Sequence, residues 1–340
     1  MSAAPPSHSF EITRIEERWM VEDRTPRLLE LRGERGRSVF DDAASPFPTL
    51  TATSLPFQPR STDFGTLEDL RFAAVLDALP PGRFEVLRLR TRSAPSGAGQ
   101  TSHLATVKTH GRSVVLAIDE QAVAKLRRLT PLLLAERGER PPVNPHQLPI
   151  VWNGGSAAVL LHEAVAHPSE ERAVPIEWPS WLAVRDEPGH PGIGRMETDD
   201  AGRTPRSRDL LAGQEPSAWR REGFRNVPLR RLTNLVATAA DAPFEIPASH
   251  IDVLLLGGGR WDPITDTVEL RVTVSTLVHG DEARPLSPFT LHASREDVSR
   301  SLAGATGLPL EYPGVLCRAE GQRLPVGSFA PLLVTAPLAR

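Results

Sequence analysis

The hydrophobic pattern divides the chain into two blocks of different texture. In the first, apolar runs at Arg27–Leu31, Phe84–Leu89 and Ser113–Ile118 read as strands, the last a buried one between His110-Gly111-Arg112 and Asp119-Glu120. Glu120–Glu136 follows with Val123, Leu126, Leu129 and Leu132–Leu134 at helical spacing, and Pro131 is expected to kink that helix or restart it. Ser45–Asp63 and Arg92–Ser102, rich in Pro, Ser, Thr and Gly, read as loops. The prolines at 141, 142, 145 and 149 mark a boundary within Gly138–Pro149.

The second block opens on Ile150-Val151-Trp152 and Asn153-Gly154-Gly155, then an apolar helix at Ser156–His167 with Ser156 as its expected cap. After a polar, proline-rich stretch at Pro168–Asp209, strands are predicted at Leu235–Thr238, Ile251–Leu256, Val268–Leu277 and Leu332–Thr335. Residues 268–274 alternate as a half-exposed strand should. The expected fold is α+β. A disordered start at 1–9 precedes a reduced α/β domain at 10–145 and a largely antiparallel β-sheet domain at 146–340, which carries the helix.

Composition narrows the function classes. A net charge of -3, only 5% aromatic residues and arginines spread along the whole chain give no general nucleic-acid surface. The start lacks a secretory pattern, and no apolar run reaches 18 residues, so a cytoplasmic protein away from membranes is expected. Cys317 is the single cysteine and has no internal disulfide partner.

The candidate chemistry lies in His162-Glu163-Ala164-Val165-Ala166-His167. Two histidines four apart on a helix reach one ion, but five apart they diverge by about 140° at 3.6 residues per turn. They can share a metal only if the helix widens by a π-type turn or breaks near His167, where Pro168 gives an independent reason for irregularity. An opened turn would bring Glu163 beside the metal as a candidate general base. Two ordinary histidines and a solvated glutamate give the same letters, and a metal needs a third ligand. Histidines 8, 103, 110, 146, 190, 250, 279 and 292 have no telling spacing. Cys317 is either a small core residue or a thiolate ligand, with Arg318 beside it to favour the ionised form.

Leu160-Leu161-His162-Glu163-Ala164-Val165-Ala166-His167 resembles the metal-binding helix of the TldD/PmbA family, specifically its TldD-like metallopeptidase branch. So do, in order, Asp199–Pro205, the turn at 210–213, Arg231-Leu232-Thr233-Asn234, Gly257-Gly258-Gly259 and the run Pro313–Gly327 around Cys317. The resemblance covers about residues 150–335. It implies that His162, His167 and Cys317 bind Zn2+ and that Glu163 is the catalytic carboxylate of a peptidase acting on small or unfolded polypeptides. It also implies a PmbA-like partner subunit or a homodimer. Tyr312 and Arg318 are candidate oxyanion donors. Two departures stand out: the first 150 residues match the family's longer amino-terminal half poorly, and Ala166 replaces its usual glycine. They leave a catalytically weak scaffold or partner subunit as the alternative. A hydrolase of non-peptide amides would use the same activated water.

Overall fold

The computed structural model describes residues 8–40, 50–57, 66–95, 100–135, 138–140, 144–153, 155–220, 229–312, 315–319 and 322–338. The first block is a six-stranded sheet, antiparallel throughout, in the order β3-β2-β1-β4-β5-β6. Its strands are β1 (His8–Glu22), β2 (Thr25–Phe40), β3 (Leu50–Phe57), β4 (Arg83–Pro95), β5 (Gln100–Thr109) and β6 (Arg112–Ala117). Helices α1 (Thr66–Asp77) and α2 (Ala122–Leu134) pack on one face of this sheet through Phe72, Val75, Leu126 and Leu129 against Val86, Val107, Val114 and Leu116. In place of the reduced α/β layout expected from the sequence, this block is an antiparallel sheet with two helices.

The described residues of two expected loops are strand. Leu50–Phe57 forms β3, and Arg92–Ser102 holds the end of β4 and the start of β5. Residues 45–49, 58–63 and 96–99 of those loops lie outside the described residues. The long β1 hides from the pattern because Ile15, Glu17, Trp19 and Val21 share its inward face, with a carboxylate among apolar side chains. Its hairpin turns at Asp23 and Arg24, both at positive φ, where Asp23 Oδ1 accepts from the Gly82 amide at 3.0 Å. Of the expected disordered start, residues 1–7 lie outside the described residues, while His8 and Ser9 begin β1. Pro131 sits inside α2, which neither ends nor restarts there.

The second sheet has eleven strands and is antiparallel except for two pairings. They are β7 (Ile150–Trp152), β8 (Leu182–Asp186), β9 (Arg208–Asp209), β12 (Asn234–Ala239), β13 (Ser249–Asp262), β14 (Thr267–His279), β15 (Glu282–Leu286), β16 (Phe289–Ser294), β17 (Leu302–Glu311), β18 (Val315–Ala319) and β19 (Gln322–Thr335). Two short strands, β10 (Trp219–Arg220) and β11 (Leu229–Arg230), pair separately. The parallel pairs, β7 with β13 and β12 with β19, lie at the centre. All four strands expected here are present; β8, inside the supposedly irregular stretch, went unread because its alternation spans only five residues.

From β7 the chain passes into a helix of three parts: α3 (Ser156–Leu161), a π-helical turn (His162–Ala166) and α4 (His167–Glu170). Every side chain from Ser156 to Ala166 is buried. A helix apolar on all sides needs cover on all sides, and it has it, packed against β12, β13 and β19. Short α5 (Arg295–Ser301) follows β16, capped by Ser294, which accepts from the Asp297 amide at 3.0 Å. Buried apolar residues of both blocks join in one cluster.

Candidate metal centre

Gly155 precedes the helix with φ of +84°, and a Cβ there would lie 2.9 Å from the Tyr312 amide nitrogen. Glycine therefore serves both the left-handed turn and the close approach. The expected cap, Ser156, does something else. Its hydroxyl donates to the Val253 carbonyl at 2.8 Å, tying the helix start to β13.

The five-residue histidine spacing is accommodated by the π turn. The His167 amide donates to the His162 carbonyl, five residues back, and this wider turn returns the two rings to one side. Their centroids are 4.8 Å apart and their planes nearly perpendicular. Ala166 adopts an ordinary right-handed helical conformation (φ −70°, ψ −52°), so the turn does not require glycine there. The helix also runs on past Pro168. Pro168 lies directly after the π turn, where the helical hydrogen bonding is already irregular, and Glu170 is thereby carried round beneath His167.

Cys317, on β18, meets this helix from 150 residues away, its Sγ 3.4 Å from His167 Nε2. One donor atom each from His162, His167 and Cys317 lies within 4.8 Å of the others. The His167–Cys317 separation is already that of two ligands on one tetrahedral ion, about 3.5 Å for bonds near 2.1 and 2.3 Å. His162 is 1% exposed, yet neither of its ring nitrogens has a hydrogen-bond partner, and the buried Oε2 of Glu163 also lacks one. Burial pushes His162 down to about 3, with His167 adding to the effect, so the ring is neutral and offers a lone pair. Buried polar atoms without partners are rare and call for an absent water or ion. Two imidazoles and a thiol are a donor set that suits zinc.

The groups behind the triad are well connected. Glu170 Oε2 lies 3.0 Å from His167 Nδ1 and fixes the ring so that Nε2 faces the sulfur. Glu170 Oε1 accepts from Arg231 Nε at 3.0 Å and from the Leu232 amide at 2.8 Å. Burial would raise the Glu170 pKa, but His167, Arg231 and that amide outweigh it and hold it at about 2. Burial likewise opposes charge on His167, and Cys317 and Glu170 override it, raising His167 well above its ordinary value. The cation at the sulfur is Arg231, whose Nη2 donates to Sγ at 2.9 Å; Arg318, expected in that role, is exposed and lines the cleft instead.

Glu163 Oε2 is 3.7 Å from His167 Nε2. Burial raises its pKa to about 7, Glu170 adding to the rise and His167 opposing it. Its side chain lies against Gly259, where a Cβ would come within 2.4 Å of the Glu163 Cγ. Glycine at 259 therefore leaves room for the Glu163 side chain, at a register shift between β13 and β14. Tyr312 is not an available oxyanion donor: its hydroxyl donates to the Leu256 carbonyl at 2.9 Å and accepts the Leu256 amide at 3.1 Å. The site opens into a cleft of about 400 Å³ between the two sheets, with Glu163, His167 and Cys317 in its wall.

Sequence reading missed Glu170 and Arg231 as parts of the centre. Glu170 was hidden because the helix was expected to stop at Pro168. Arg231 stood in the Arg231–Asn234 run, whose neighbours are structural: Thr233 donates its amide to Asp186 at 2.9 Å, and the Asn234 amide group donates to the Glu187 and His190 carbonyls at 3.1 and 3.0 Å. Asp199, in the other acidic motif, accepts the amides of Ala201, Arg203 and Trp219 and shapes a turn.

No protein-family model and no curated protein matches the sequence. Solved structures do match its fold. TldE from Thermococcus kodakarensis superposes with a TM-score of 0.59 at 10% identity, over 98% of this chain and 96% of that one. A candidate modulator of a DNA gyrase from Thermotoga maritima gives 0.55 at 9% identity, over 97% and 95%. A similar candidate gyrase modulator from Bacteroides thetaiotaomicron gives 0.53 at 12%, over 97% and 94%. The likeness takes in the first block, where the sequence itself offered little. Over nearly its whole length, the chain has the TldD/PmbA fold.

Proposed function

We propose that this chain is a zinc-dependent peptidase of the TldD-like branch, hydrolysing peptide bonds of small or unfolded polypeptides. The observation that carries the proposal is His162, fully buried and neutral with both ring nitrogens unpartnered, beside His167 and Cys317. In this reading His162, His167 and Cys317 hold the ion, and residues 146–340 are the catalytic domain behind a reduced amino-terminal domain at 10–145. When bound, zinc supplies Lewis acidity to a carbonyl and lowers the pKa of its water towards neutrality.

Glu163 is the proton carrier. A buried carboxylate beside the ion would accept a proton from water and return it to a leaving amine. Gly259 leaves the space it needs, and Glu170 and Arg231 position His167 and Cys317 without entering the cleft. The open cleft suits an extended chain better than a compact amide, and the β13 glycine run along it offers backbone for strand addition. A PmbA-like subunit or a second copy of the chain is the expected partner, and the cytoplasm the expected compartment. Among the described residues no helix is long and apolar enough to cross a membrane.

The test combines elemental analysis with cleavage of unstructured peptides by wild type and Glu163→Ala. Zinc near one equivalent and cleavage that vanishes in the variant are expected. Protein that retains no zinc sinks the proposal. Zinc without Glu163-dependent cleavage would favour the scaffold alternative, although Ala166, one of its two motives, sits without strain in the π turn.

A further inference from the structure

His167 and Cys317 are joined twice. Their donor atoms meet directly, Nε2 to Sγ at 3.4 Å. Behind them, His167 Nδ1 lies 3.0 Å from Glu170 Oε2, Glu170 Oε1 accepts from Arg231 Nε at 3.0 Å, and Arg231 Nη2 returns to the sulfur at 2.9 Å. The four side chains close a ring that links segments 150 residues apart. Arg231 is only 2% exposed, and its Nη1 donates to Oε1 of the buried Gln322 on β19 at 3.4 Å, so each nitrogen of the guanidinium is held.

The guanidinium is thus shared between a carboxylate and a sulfur, and its charge lies against the one anionic member of the candidate ligand set. Two imidazoles and one thiolate leave a bound Zn2+ with residual positive charge. An N–H from a cation stabilises the sulfur lone pairs and holds their electron density away from the metal. Hydrogen bonds to a metal-bound sulfur are one of the means by which a protein tunes its metal.

We propose that Arg231 is a positioning residue that, through its bond to the Cys317 sulfur, weakens the thiolate as a donor and so strengthens the Lewis acidity of the ion held there. This rests on the zinc-binding reading of the site but concerns the electronic state of the sulfur, not cleavage alone. A purely structural Arg231 would secure the ligands and leave their donor strength unchanged.

The experiment replaces zinc with Co2+ in the full chain and reads the sulfur-to-cobalt charge-transfer band in the near ultraviolet, beside bound cobalt by elemental analysis. Wild type should show the band. Arg231→Met should bind cobalt with the band at longer wavelength, because the released sulfur gives up electron density more readily. Arg231→Lys keeps a charged N–H for the sulfur and should return the band most of the way. With zinc, kcat for peptide cleavage should fall about 10–100-fold in Arg231→Met and recover in part in Arg231→Lys. Arg231→Met leaves the Glu170 charge unpaired in the interior, so a second comparison guards against misfolding. Glu170→Gln and Glu170→Gln with Arg231→Met differ only at residue 231, and the same shift is expected between them. A band that stays in place across both comparisons overturns the proposal, whatever happens to metal affinity. Wild-type protein that binds no cobalt, or binds it without a sulfur band, overturns the zinc-binding reading itself and this inference with it.

Discussion

Both blocks of this protein bury clusters of ionisable side chains, and two of these clusters are built on different plans. In the first sheet Glu17, Arg88, Arg90 and His103 lie under α1 together with Asp69. Arg88 donates to His103 Nε2 at 2.7 Å, to Glu17 at 3.3 Å and to Asp69 at 2.6 Å, and Arg90 bonds Glu17 and Asp69. Two cations meet two carboxylates. In the second sheet His162, Glu163, His167 and Cys317 are buried just as deeply, but His162 touches no polar partner. Both His103 and His162 are pushed to about 3, mainly by burial. His103 spends its Nε2 on Arg88, while His162 keeps both nitrogens unspent. The first cluster is tied together by ion pairs and leaves only single atoms, His103 Nδ1 and Arg90 Nε, without a partner; the second holds a histidine with neither ring nitrogen partnered. Neither burial nor a single unpartnered atom therefore marks a site; what distinguishes the second cluster is a histidine with both ring nitrogens unpartnered beside a second histidine and a thiol.

The comparison can be broken from either side. The largest effect is expected for Glu163→Ala, which should lower kcat by about 10²–10⁴-fold while zinc content stays near one equivalent, read by peptide cleavage beside elemental analysis. Loss of zinc in this variant would mean that the carboxylate holds the site together rather than serving the chemistry. Next comes Arg88→Met in the ion-paired cluster of the first sheet. Removing one member of a buried ion network costs about 3–5 kcal/mol, seen in denaturant unfolding, with zinc content unchanged; a variant that lost zinc would show the two clusters to be coupled.

A smaller change is expected for Glu170→Gln. It keeps the shape but removes the charge behind His167, and zinc affinity should fall about 10–100-fold in a competition titration with a chelator. The remaining prediction concerns the pH dependence of the metal-free protein. Glu163 is raised in the folded state from 4.5 to about 7, so the folded protein holds the extra proton and stability declines as pH rises between those values. Glu170 is held at about 2, so its contribution has the opposite sign and a lower window: it is present above about 4.5 and disappears as pH falls towards 2. Asp186, raised to about 6, also acts in the upper window. The difference between wild type and Glu163→Gln across pH 4.5–7 isolates Glu163, and identical slopes would remove it from the account.

How far the sequence reveals these clusters follows from the range of each interaction. Arg88 and Arg90 interrupt the apolar alternation of β4 because they face inward to meet Glu17, and that interruption obscured the sheet's outline. The ladder partners of β1 lie far along the chain, at Arg83–Pro95, where no local pattern points. In the second block, local periods sufficed for β12, β13, β14 and the end of β19, since alternation and apolar runs are set within a few residues. The Ser156–His167 stretch read as an apolar helix by its local sequence, and the five-residue histidine interval required an irregular turn if both rings were to share a metal.

Local chemistry, then, determined the helix, its two histidines and the acid between them, because residues a few positions apart are bound by the geometry of one turn. The form of that turn was another matter. Whether the helix would widen or break at Pro168 depends on which carbonyls its amides find, and packing against β12, β13 and β19 decided for the π turn. The placement of Cys317 beside His167, of Arg231 on its sulfur and of Gly259 against Glu163 was likewise decided only by the tertiary structure. Those contacts join segments as many as 150 residues apart, and nothing short of the folded sheet order brings them within bonding distance.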